Sequence, residues 1–187
     1  MPSEPPAEIL ATKPPNAFTA SDVTVIFRAQ GWLAAEYEVE TGSALQLWLA
    51  RAAELLGPHA HDRAALVELL ALIFHYDASA CLQQAANQDV LARSGARDVI
   101  RELANRILDG GDVDSDRFKE IVEGIKAAVP YRSREMLRPI RLALTGRAGE
   151  GELDRVILLL DTAAKIHFAV AVKGTRQRML EFCAAID

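Results

Sequence analysis

Apolar residues recur at three-and-four spacing in segment after segment of this chain, and that period admits helices and little else. Leu45, Trp48, Leu49, Ala52, Leu55 and Leu56 follow it, starting from Ser43. Leu66, Leu69, Leu70, Ile73 and Phe74 follow it behind Asp62, an N-cap residue. Ile100, Leu103, Ala104, Ile107 and Leu108 repeat the pattern, as do Phe118, Ile121, Val122 and Ile125, and then Leu153, Val156, Ile157 and Leu160. Thr19-Ala20-Ser21-Asp22 offers caps for a short run through Val25, Ile26 and Phe27. Asp77 is expected to cap a further helix, and a last one is expected over Thr175 to Ala185. Gly57-Pro58, Gly110-Gly111 and Pro130 supply stops. The expected fold class is therefore all-α, a multi-helix bundle. Aromatics are only 6% of the 187 residues, which favours close packing of Ala- and Leu-rich helices. Only His167 to Val172 is ambiguous, since a short apolar run does not declare its period. No internal repeat of solenoid length is present.

Residues 1–18 read as a Pro-rich tail, with Pro2, Pro5, Pro6, Pro14 and Pro15. The acidic link 110–116, GGDVDSD, is the best internal boundary. It gives an expected division into a helical unit over 19–110 and a second over 111–187. No apolar run approaches the ~18 residues that span a bilayer, and no signal pattern opens the chain. A cytoplasmic protein is the expectation, with Cys81 and Cys183 as reduced, buried thiols.

Charge is uneven. Residues 131–147, YRSREMLRPIRLALTGR, carry Arg132, Arg134, Arg138, Arg141 and Arg147 against the single acid Glu135. The segment is thus +4 in a chain of formal charge −5, which leaves −9 elsewhere. A local reversal of sign marks a candidate anion surface, and arginine forks suit RNA phosphates and bases. A second basic group, Lys165, Lys173, Arg176 and Arg178, lies near the C-terminus; Lys173, Arg176 and Arg178 extend that surface if the last helix packs beside it, and otherwise the group is an exposed helix start. Pro139 suits the first turn of a short helix running to Leu144, with a turn or kink before it. Thr145 and Gly146 suit a left-handed C-terminal cap. Arg141 has two readings: RNA contact, or a tie to helix-end carbonyls or a buried carboxylate.

Chemistry is poorly represented. His59, His61 and Asp62 lack a third strong metal ligand, and Asp62 reads better as a cap. His75-Tyr76-Asp77 reads as a helix end, a packing ring and a cap. No nucleophile motif and no Gly-rich phosphate loop occurs, so no cofactor and no metal are expected.

The run Pro139-Ile140-Arg141-Leu142-Ala143-Leu144-Thr145-Gly146 resembles the Pro-x-Arg-x-Ala-Leu-Thr-Gly segment of bacterial glutamyl-tRNA synthetases, in their C-terminal, stem-contact and anticodon-binding region. The preceding stretch 116–130 and the stretch Leu72 to Asp77 are similar to parts of the same class I synthetase family, so the resemblance covers about residues 70–160 and 19–69 only loosely. Two positions depart from the family pattern. Glu150-Gly151 stands where the family has Gly-Pro, and Leu160 is followed by Asp161 where the family has Gly. The family's His-x-Gly-His and Lys-Met-Ser-Lys-Ser motifs are absent. The resemblance thus implies a non-catalytic tRNA-binding module with no membrane association, working beside a separate synthetase catalytic chain in protein biosynthesis. Another class stays open: a helical protein–protein interaction module, or a degenerate synthetase remnant, that kept the scaffold, lost the RNA site, and uses Trp32 and Trp48 on a partner surface.

Overall fold

The computed structural model describes residues 18–130 and 133–186; the side chains of residues 133 and 134 are outside that description. The Pro-rich segment read as a tail falls almost wholly outside it. Ten α-helices follow one another among the described residues: α1 (Ala20–Ala29), α2 (Ala44–Leu56), α3 (Arg63–Phe74), α4 (Ala78–Leu82), α5 (Ala85–Leu91), α6 (Ala96–Leu108), α7 (Ser115–Ala128), α8 (Ser133–Thr145), α9 (Glu152–Ala163) and α10 (Thr175–Ile186). A 3-10 turn, Gly57–His59, closes α2. The described residues contain no strand.

Side-chain caps start α1, α2, α3, α4 and α7. The Thr19 hydroxyl accepts from Asp22 N–H, and the Asp22 carboxylate accepts from Thr19 N–H at 2.8 Å. Ser43, Asp62 and Asp77 accept from the backbone N–H groups of Gln46, Ala65 and Ala80. Asp114 takes both Asp116 and Arg117. Each cap satisfies donors that a helix start otherwise leaves open, typically for about 1 kcal/mol.

Burial divides between two clusters that share one helix. The first joins α1, α2 and α3 to Leu153, Val156, Leu159, Leu160 and Ala163 of α9. The second joins residues of α4 to α8 and α10 to Ile157 of α9. A helix flanked by both clusters must be apolar nearly all round, as the run Val156 to Leu160 is. The indole of Trp48 donates to the Leu159 carbonyl at 3.2 Å, which fixes α2 against that wall.

Two expectations change. α8 does not begin at Pro139 after a kink; it begins at Ser133 and runs through the proline. Pro139 donates nothing to the Glu135 carbonyl, a cost of roughly 3 kcal/mol in a helix interior. Met136, Ile140, Ala143 and Leu144 are all fully buried along one face, and that packing holds the helix together across the gap. On either side of the acidic link at 110–116, α6 and α7 both line the second cluster. Trp32 and Trp48 face no partner surface: both are buried, with Trp32 stacked on Phe74 at 4.4 Å.

The ambiguous run 167–172 is neither helix nor strand. Phe168 packs against Phe27, Trp48 and Phe74, and Ala169 N–H donates to the Trp32 carbonyl. The segment caps the first cluster. Asp161 anchors its far end. Its carboxylate accepts from Val113 N–H at 2.7 Å, and from Thr175 N–H and hydroxyl at 2.6 and 2.8 Å. One carboxylate thereby ties the α6–α7 link and the start of α10 to α9.

Candidate nucleic-acid interface

The Pro139-to-Gly146 run ends in a built turn. Gly146 has φ of +79°, and its N–H donates to the Leu142 carbonyl at 2.9 Å. An added Cβ there would meet Cys81 Sγ, so glycine is required for space as well as conformation. The Thr145 hydroxyl donates to the Arg141 carbonyl at 2.9 Å, and Asn87 donates to the Gly146 carbonyl at 3.3 Å from inside the core.

Arg141 points inward. Its Nε and Nη2 grip the two carboxylate oxygens of Asp154 at 2.7 and 2.8 Å, and Nη1 donates to the Gly149 carbonyl at 3.0 Å. Its side chain is 7% exposed. Burial works against its charge, but the Asp154 hydrogen bonds and charge outweigh it and hold the guanidinium pKa above its ordinary value. Of the two readings of Arg141, the tie to a carboxylate describes this geometry: it locks the 146–151 turn onto the first turn of α9.

Arg178 is also internal, with no exposed surface at all. Nη1 donates to the carbonyls of Leu72 and Leu144, Nη2 to Ile73, and Nε to Lys173. The first three are end carbonyls of α3 and α8. These are groups that a helix end cannot satisfy itself, and where a cation is favoured. Its guanidinium lies over the Tyr76 ring at 4.7 Å, and the Tyr76 hydroxyl donates to the Ala143 carbonyl at 2.6 Å. The expectation that Arg178 extends an RNA surface fails on this burial. Lys173 binds Glu181 at 2.7 Å and the Tyr76 carbonyl at 3.1 Å, and Arg176 donates to the Leu108 carbonyl. None of the three lines the cleft described next.

Arg138 and Arg147 are on the surface. Arg138 lies 3.7 Å from Glu150 and Arg147 4.0 Å from Glu68, with side chains 39% and 54% exposed. Such pairs are weak and exchange readily for another anion. Arg138, Arg141, Leu137, Glu135 and Glu150 line an open cleft of about 700 Å³. Arg93, from the α5–α6 turn, completes it, 3.5 Å from Glu135. Sequence reading missed Arg93, since it stands some forty residues before the arginine run and only the packing of α5 on α8 brings it there. Arg132 lies outside the described residues, and of Arg134 only the backbone, in α8, is described.

The remaining polar clusters are caps and ties. Asp62 caps α3, with His61 exposed 3.3 Å away, and Asp77 caps α4. Among the described residues no three His, Cys, Asp or Glu side chains gather as a metal site would need. Among the described residues no helix is long and apolar enough to cross a membrane.

The chain belongs to the anticodon binding domain family, whose model matches residues 26–164. The match reaches well upstream of the part where the likeness reads clearly in sequence. It ends just past α9, so Arg178 and Asp161's partner Thr175 act on the family's segment from beyond it. Searches of curated proteins and of solved structures found no match.

Proposed function

We propose that this chain is a tRNA-binding module of the glutamyl-tRNA synthetase type, which holds the anticodon region and acts beside a separate catalytic chain. Membership of the anticodon binding domain family is the observation that carries the tRNA reading. The glutamyl assignment rests on Pro139-x-Arg141-x-Ala143-Leu144-Thr145-Gly146. Arg93, Arg138 and Arg147 are the residues assigned to the RNA, since their heads are exposed and held only by exposed carboxylates. Arg141 and Thr145 serve by shaping the turn beneath them. Arg132 and Arg134 are assigned to the same strip on sequence grounds.

With a formal charge of −5, binding depends on this local face rather than on a broad field. An anisotropy titration with bulk tRNA and with glutamate tRNA, at two salt concentrations, tests the reading. Three phosphate contacts give a log–log salt slope of roughly −2 to −3. Weak binding that ignores salt contradicts it, and equal affinity for all tRNAs contradicts the glutamyl assignment alone.

A further inference from the structure

We propose that a second cleft, between the α5–α6 turn and the end of α10, is a nucleotide subsite that continues the arginine-lined cleft through Arg93. The inference rests on the tRNA reading above. The second cleft measures about 580 Å³ and is open to solvent. Arg93 lines both clefts, so the two adjoin. Their chemistry differs. Glu135 and Glu150 stand in the first, whereas the described lining of the second holds Arg93 and Arg97 and no acid.

The rest of the lining suits an unstacked nucleotide. Leu82, Leu91 and Ile186 give an apolar floor for a base. The exposed Gln88, whose Nε2 donates to the Leu82 carbonyl at 3.0 Å, offers its Oε1 and its second amide hydrogen to the base edge. Arg93 and Arg97 are placed for the phosphates on either side. Arg97 meets no carboxylate among the described residues, and it sits in the first turn of α6, the end at which a helix repels cations and attracts anions. A phosphate between Arg97 and Arg93 removes that mismatch. The same strand can then pass from the first cleft to the second without leaving arginine.

The test is tRNA anisotropy with Arg97→Glu, Arg97→Lys, Lys119→Glu and Arg138→Glu, each at two salt concentrations. Arg97 is exposed, and an acid in the first turn of α6 favours the helix, so Arg97→Glu is expected to fold as the parent does. Arg97→Glu is expected to weaken tRNA binding about tenfold or more and to lower the salt slope by about 1. Arg97→Lys should keep most of the affinity. Lys119→Glu, the same charge change on α7 at a residue lining neither cleft, should leave binding within about twofold. If Arg138→Glu weakens binding and Arg97→Glu does not, the subsite is refuted while the tRNA reading stands. If Lys119→Glu weakens binding as much as Arg97→Glu, overall charge is responsible and the subsite is refuted. If the parent protein fails to bind tRNA, both fall together.

Discussion

Arg141 and Asp154 form a two-pronged ion pair across the 146–151 turn, at 2.7 and 2.8 Å, with the arginine nearly sealed from solvent. The residue at the centre of the family-like run is therefore a fastener of the turn. Arg141→Ala leaves Asp154 and the Gly149 carbonyl without their donor. A loss of about 3 kcal/mol in denaturant-measured stability is expected, the usual scale for breaking a buried pair. Arg141→Lys should recover less than half of that, because a point charge cannot reproduce the fork. Wild-type stability in Arg141→Ala contradicts this role.

Arg178 joins α3, α8 and α10 through four carbonyls, and no water reaches the site to replace it. Arg178→Met keeps much of the volume and removes every donor. The expected result is loss of cooperative unfolding, or a destabilisation of about 4 kcal/mol or more. Circular dichroism melts decide it. A sharp melt near the wild-type temperature would show that these carbonyls need no donor.

Gly146→Ala places a methyl in a left-handed position and against Cys81. A cost of about 1–2 kcal/mol is expected from conformation alone, with the clash added. Cys81→Ala in the same chain removes the sulfur and should restore the clash component but not the conformational one. A double variant no more stable than Gly146→Ala argues that the sulfur is not the obstacle.

Tyr76 gives a pH-dependent readout. Burial raises its phenol pKa well above the ordinary value of about 10, against the pull of Arg178. The native state therefore holds the phenolic proton more tightly than the unfolded chain. Its contribution to stability is complete below pH ~10 and declines as pH rises beyond it. The stability difference between wild type and Tyr76→Phe should be constant from pH 7 to 9 and shrink above about 10.

The helices were legible because local signals agreed with the tertiary result. Thr19, Ser43, Asp62 and Asp77 all cap the helices they preceded, and the three-and-four apolar residues are buried apart from Leu55, Leu108, Phe118 and Val122, which are partly so. Pro139 was misleading for a physical reason. A proline's local penalty is visible in sequence, while the packing of Met136 and Ile140 that overrides it is not. Charge was legible only as an inventory. The arginine run was visible, but its division into an inward Arg141 and outward Arg138 and Arg147 depends on Asp154, Glu150 and Glu68, which belong to other elements. Arg178 looked like one of several exposed cations because its partners are backbone carbonyls, which carry no signature in sequence. Arg93 carried no signal of its own.

The central claim is that the exposed arginines, Arg93 and Arg138 at the first cleft and Arg147 beside Glu68, hold tRNA while the buried ones hold the fold. Arg138→Glu combined with Arg147→Glu tests it most directly, with tRNA affinity and the helical circular dichroism melt measured on the same sample. Binding is expected to fall at least about thirtyfold, on the scale of two lost phosphate contacts and two added charges, with the melt shifted by no more than a surface change allows. Unchanged tRNA affinity in a folded double variant would contradict the claim.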